Sequence, residues 1–117
     1  MSQPITWVFV AAILPGQFEA FLTVRTQLIE HSKAEPGLIV YEWFISEDQT
    51  TCHIFETFRD SEAILAHLKA FVPFAEPLMK AIRPTYLHVH GPINDEAKAA
   101  IASFNPIYLA SLGGFRR

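Results

Sequence analysis

The chain switches repeatedly between short apolar runs and amphipathic stretches, and proline, glycine or polar clusters mark each break. Residues Ile5 to Leu14 are continuously apolar and rich in β-branched and aromatic side chains. Pro15-Gly16 ends the run, which predicts a buried strand. Phe18, Phe21, Leu22, Leu28 and Ile29 then recur at helical steps and predict a helix with one apolar face. Ala34-Glu35-Pro36-Gly37 stops it, because proline restricts the residue before it and glycine frees the turn. Leu38 to Ser46 and Thr51 to Phe58 read as two strands joined by the polar loop Glu47-Asp48-Gln49-Thr50. Asp60 is a good N-cap for a helix continuing through Ala63 to Phe71. Pro73 and Pro77 predict an interruption, leaving Phe74 to Ile82 as a separate helical turn or two. Arg83 to His90 reads as a fourth strand closed by Gly91-Pro92. Asn94 opens a last helix, DEAKAAIASF, with acids at its start. The remainder, Asn105 to Arg117, reads as an extended tail that packs on the domain or on a partner.

The order β-α-β-β-α-β predicts an α+β, ferredoxin-like fold with an antiparallel sheet and two helices on one face. It occupies residues 1–92, with the last helix and tail over 93–117. On the first strand Ile5, Trp7, Phe9 and Ala11 point one way and Val8, Val10 and Ala12 the other. On the second, Ile39, Tyr41, Trp43 and Ile45 oppose Leu38, Val40 and Phe44. Two helices cover only one of these apolar faces, so the other is expected to meet its copy in a homodimer.

Composition sharpens this picture. Half of the 117 residues are hydrophobic and ten are phenylalanine, a richness that suits a ligand cavity or a subunit interface. A net charge of −3 without a basic stripe argues against nucleic acid. No apolar run is long enough to span a bilayer, and the single cysteine, Cys52, suits a reducing compartment. The expectation is a cytoplasmic protein with no membrane partner and Cys52 as a small packing residue.

Chemistry-bearing residues are few. His67 falls in the helical series Ile64, His67, Leu68, Phe71, where its near-neutral pKa suits a general base or a donor to a substrate oxygen, or equally a core histidine. Glu56 shares a strand face with Ile54 and Phe58; a carboxylate there needs a partner. If the two meet, Glu56 orients His67 as a general-base dyad. His53, His88 and His90 lie on strands, but a metal site needs three or more converging ligands, so no metal is expected. The absence of a glycine-rich phosphate loop, a dinucleotide fingerprint or a nucleophile elbow argues for no cofactor.

EPGLIVYEWF followed by HIFETFRDSEAILAHLKAF resembles the antibiotic biosynthesis monooxygenase family of dimeric α/β barrels, over roughly Ile5 to Gly91. The resemblance implies a ferredoxin-like subunit that dimerises through its sheet. The family includes cofactor-independent oxygenases of quinols and polycyclic phenols, haem-degrading enzymes and an isomerase of a small signal molecule. His67 matches the family's helix histidine and Glu56 its strand glutamate. Haem degradation is argued against by Phe9 in place of an asparagine, by His67 where those members have tryptophan, and by the lack of a histidine near Glu76-Pro77. The polar residues of polyketide-oxidising members correspond to Ile54, Phe58 and Ile64, and the second helix histidine of quinol-oxidising members is missing from Ala70-Phe71-Val72-Pro73. The implied function is cofactor-independent oxygenation of a small phenol or quinol between sheet and helices. His67 and Glu56 would be catalytic, with Trp7, Phe9, Ile54, Phe58, Ile64 and Phe71 lining the cavity. An isomerase or lyase on the same scaffold, or a non-catalytic barrel binding a small aromatic molecule, are the alternatives.

Overall fold

The long apolar run of the sequence becomes the strand on which the rest is assembled. The computed structural model, which describes residues 3–117, orders the elements as β1 (Ile5–Ile13), α1 (Phe18–Ser32), β2 (Leu38–Ile45), β3 (Thr51–Phe58), α2 (Ser61–Ala81), β4 (Ile82–His90), α3 (Asp95–Ile101) and β5 (Ile107–Leu109). The sheet order is β2-β3-β1-β4-β5. β1 lies between β3 and β4, antiparallel to both. This is the α+β ferredoxin-like fold the order of elements predicts. Phe21, Val24 and Leu28 of α1 and Ile64 of α2 pack with Ile5, Trp7, Phe9 and Ala11 of β1 in one core.

Two local expectations are corrected and a third is refined. First, α2 runs unbroken from Ser61 to Ala81 through Pro73 and Pro77. Each proline removes one helical hydrogen bond, so the carbonyls of Lys69 and Pro73 lose their usual donors. The two prolines sit four residues apart on the exposed side of the helix, where water can serve those carbonyls. Second, a bulge between Leu38 and Val40 shifts the β2–β3 register. It turns Leu38 onto the core and leaves Ile39 59% exposed, reversing the faces that strict alternation assigns them. Third, part of the expected tail is a strand. β5 pairs parallel to β4, and parallel neighbours need a crossover. Residues 91–106 supply it through α3 and a 3₁₀ turn at Ala102–Phe104.

Side chains tie the turns. Asp60 caps α2 by accepting from the Ala63 N–H at 2.9 Å, and Asn94 caps α3 by accepting from Ala97 at 2.9 Å. The Asn94 N–H in turn donates to Ser61 Oγ at 2.9 Å, which fixes the start of α3 to the start of α2. In the hairpin loop Asp48 Oδ1 accepts from the Thr50 amide and hydroxyl and from Ser46 Oγ. Cys52 is buried, and burial pushes its thiol up to about 12, which suits a packing residue.

The link from α1 to β2 lies directly on α2. A Cβ at Gly37 would stand 2.6 Å from the Cβ of Ala63, and the Gly37 carbonyl accepts from the Arg59 N–H at 2.8 Å. Only glycine allows this approach. Gly37→Ala is therefore expected to destabilise the chain by roughly 1–3 kcal/mol through overpacking. Urea unfolding of the variant measures this, and an unchanged midpoint would show that the loop is not seated as described.

Candidate active site

Strand register sets two rows of side chains on the core face of the sheet. Trp7 pairs with Glu56, which pairs in turn with Tyr41; the adjoining row runs Leu87, Phe9, Ile54, Trp43 across four strands. All seven line a cavity of about 80 Å³ closed above by Leu28 of α1, by His67, Leu68, Phe71, Leu78 and Met79 of α2, and by Ile101 and Phe104. A cavity of about 150 Å³ accommodates benzene. Anything larger than a few atoms must therefore displace half-buried side chains such as Phe71, Met79 or Phe104.

Glu56 and His67 do meet. His67 Nε2 lies 3.1 Å from Glu56 Oε1, and the other carboxylate oxygen of Glu56 accepts from Trp7 Nε1 at 2.6 Å. The other ring nitrogen of His67 is also taken: Nδ1 lies 2.9 Å from Oε1 of Glu35, in the loop that Gly37 seats on α2. The Tyr41 and Phe58 rings each stand 5.4 Å from the imidazole. Glu56 and His67 are both 5% exposed, so the chain Glu35–His67–Glu56–Trp7 is held almost away from water.

Burial works against charging His67, but the hydrogen bond and charge of Glu56, followed by those of Glu35, outweigh it and raise the pKa. Ionised carboxylates only accept, so two of them facing one ring are both satisfied by the doubly protonated imidazolium. Tyr41 is driven upward, first by burial and then by the Glu56 charge, and stays a neutral phenol. The two members of the expected dyad are thus in contact, and both ring nitrogens of His67 face carboxylates. The Glu56 carboxylate borders the cavity with lone pairs left over after two donors, and the His67 ring stands beside it.

Of the residues singled out in the sequence, Trp7, Phe9, Ile54 and Phe71 line the cavity together with Glu56 and His67. Phe58 and Ile64 do not. Both are fully buried, Phe58 edge-on to Trp7 at 4.7 Å, and serve as packing. Sequence reasoning missed Glu35, Tyr41 and Trp43 as site residues. Tyr41 and Trp43 follow from cross-strand pairing once the bulged register is known; Glu35 carries no signal, because a carboxylate before Pro-Gly reads as a loop residue. His53 and His88 lie on strands away from the cavity, and His90 Nδ1 lies 3.1 Å from the Thr6 carbonyl oxygen. Among the described residues no group of three or more His, Cys, Asp or Glu is arranged to hold a metal, and no helix is long and apolar enough to cross a membrane.

The fold and site define a ferredoxin-like domain with a buried carboxylate–imidazole–carboxylate chain beside a small, partly open cavity between sheet and helices. The profile of the antibiotic biosynthesis monooxygenases matches residues 4–85. The chain belongs to that family. Among curated proteins, no sequence matches it significantly. MupZ from Pseudomonas fluorescens is similar over 98% of this chain and 95% of its own, at 22% identity and a TM-score of 0.89. SnoaB, a cofactor-independent oxygenase from Streptomyces nogalater, is similar over 80% of this chain and 96% of its own, at 16% identity and a TM-score of 0.67. Rv0793 from Mycobacterium tuberculosis is similar over 80% of this chain and 98% of its own, at 20% identity and a TM-score of 0.69. At these identities the likeness is one of fold.

The raised pKa of His67 makes stability depend on pH with a definite sign. A group whose folded-state pKa lies above its unfolded value of about 6.5 contributes fully below that value and loses its contribution as pH rises through the folded-state pKa. The difference in urea midpoint between this chain and a His67→Gln variant should be widest below about pH 6.5 and narrow as the pH climbs above it. A difference that stays constant or widens would place the imidazole in its neutral form.

Proposed function

We propose that this chain is a cofactor-independent enzyme whose reaction starts with proton transfer to Glu56, and that its family reaction is oxygenation of a small phenol or quinol. The observation that carries this reading is the carboxylate–imidazolium–carboxylate chain bordering an otherwise apolar cavity. Deprotonation gives a substrate carbanion in conjugation with its oxygen; the anion reduces dioxygen to a carbon-bound hydroperoxide, which loses water to leave a carbonyl. One oxygen atom ends in product and one in water, so the substrate supplies every electron needed. The protein contributes the base, the acid and exclusion of water. Oxygen uptake with a panel of quinols should fall about 10²-fold or more in Glu56→Gln. Undiminished uptake in that variant would refute the assignment.

One observation favours a second, redox-neutral reading on the same residues. An imidazolium held beside a carboxylate offers an acid and a base together, the pairing that isomerisation and elimination use and that a simple deprotonation does not need. Product formed without oxygen would establish this reading; strict oxygen dependence would exclude it.

The proposed assembly is a homodimer through the outer face of the sheet. Phe44 and Phe55 stand edge-on at 5.4 Å there, 51% and 37% exposed, with Tyr86 38% exposed two strands away. Such a patch on a twisted sheet fits its own copy across a two-fold axis. Light scattering at micromolar concentration should return twice the monomer mass, and Phe55→Glu should return one. A monomer before substitution would overturn the proposal.

A further inference from the structure

The polar groups around the cavity are almost all engaged. Trp7 Nε1 donates to Glu56, and both nitrogens of His67 face carboxylates. Two buried atoms are left over, Glu35 Oε2 and Trp43 Nε1, and of the two residues only Trp43 lines the cavity. Its Nε1 has a weak contact with the Tyr41 side chain and no well-formed hydrogen bond. An indole N–H can only donate, so what is missing is an acceptor, and a buried donor left unmade calls for an explanation.

Three constraints define the acceptor. Trp43 pairs across the strands with Ile54, and Tyr41 with Glu56, so Trp43 and Glu56 are diagonal neighbours on one face, about 7–8 Å apart at their backbones. A single small molecule can therefore touch both. The Glu56 carboxylate borders the cavity and a second, Glu35, stands behind His67, so two carboxylates face one imidazolium, an excess of negative charge that disfavours an anionic ligand. The rest of the lining, including Phe9, Leu28, Ile54 and Leu68, is apolar.

We infer that Trp43 is an oxygen-binding subsite, and that the substrate is a neutral, mostly apolar compound whose carbonyl oxygen accepts from Trp43 Nε1 while the carbon beside it faces Glu56. This rests on the reading of Glu56 as proton acceptor and adds the class of compound it acts on. When Glu56 takes the proton, the C–H bond breaks, its electron pair forms the new carbon–carbon double bond, and the carbonyl π pair moves to oxygen. The indole N–H is placed to hold that oxygen as its charge grows, the contribution an oxyanion donor makes.

The test uses cyclopentanone as the neutral ketone, with cyclopentane and cyclopentanecarboxylate as controls. The chain has two tryptophans, so ¹⁵N-labelled protein gives two indole signals, and Trp43→Phe assigns them. Cyclopentanone should shift the Trp43 signal while the two controls leave it in place. The preference for ketone over hydrocarbon should fall about tenfold in Trp43→Phe, the effect of one hydrogen bond of about 1.4 kcal/mol. A Trp43 signal that does not move with cyclopentanone, or that moves equally with cyclopentane, overturns the inference, as does a ketone preference kept in Trp43→Phe. Should Trp43→Phe not fold, the wild-type titration decides alone, with the signals assigned through the Trp7 contact to Glu56. Exchange of solvent deuterium into the ketone reports on Glu56 separately. Exchange lost in Glu56→Gln with the Trp43 shift intact upholds both readings; exchange kept in Glu56→Gln removes the base assignment and with it the role given to Trp43.

Discussion

The constraint that organises this molecule is the cost of keeping Glu56 on the inner face of an apolar sheet. A lone carboxylate there would take up a proton rather than stay ionised, because burial penalises the charge. The fold meets this cost with a Trp7 N–H from β1 and an imidazolium from α2. The imidazolium then needs its own second acceptor, which Glu35 provides from the loop before β2. Apart from Glu35 Oε2, which is buried without a partner, each group is explained by its neighbour, and removing any one leaves another unpaired, the costly situation for interior ions.

The backbone features that seemed incidental are what bring these groups together. Glu35 reaches His67 because the following residues press onto α2, an approach that Gly37 permits and the Arg59 N–H anchors. Trp7, Glu56 and Tyr41 stand abreast because the β1–β3 and β2–β3 registers agree at that level. The bulge after Leu38 lies at the entry to β2 and sets which of its side chains face inward. A slip of one residue would send Tyr41 and Trp43 to the other face.

Periodicity and turn chemistry made the fold legible, since each strand and helix buries a face that the pattern marks. They failed where the deciding interaction is not local. Pro73 and Pro77 read as breakers, yet their outward placement makes the lost hydrogen bonds tolerable. Ile107 to Leu109 has no pattern of its own, being exposed at the sheet edge, and is strand only because β4 offers it an unpaired side. In the site, Glu56 and His67 were readable as polar residues in apolar series. Glu35 was not, because nothing in a Glu-Pro-Gly loop shows where its side chain ends. The assignment of Phe58 and Ile64 to the cavity came from matching positions by resemblance, and here both are core.

That last point bears on how the site differs from its family. The positions that carry polar residues on β3 and α2 in polyketide-oxidising members are apolar in this chain, and two of them do not reach the cavity. Polar contacts come instead from the segment Glu35 to Trp43, at the far side of the sheet. The opposite wall comes from Leu87, Ile101 and Phe104, all beyond residue 85, where the family match ends. The floor, the Glu35–His67–Glu56–Trp7 chain and the β2 end of the cavity thus lie within the family match, and the C-terminal wall lies beyond it, in a stretch that the likeness to MupZ still covers. The C-terminal extension is therefore part of the cavity wall, through Ile101 at the end of α3 and Phe104 in the turn that follows, and the helix that first reads as an appendage is built into the core.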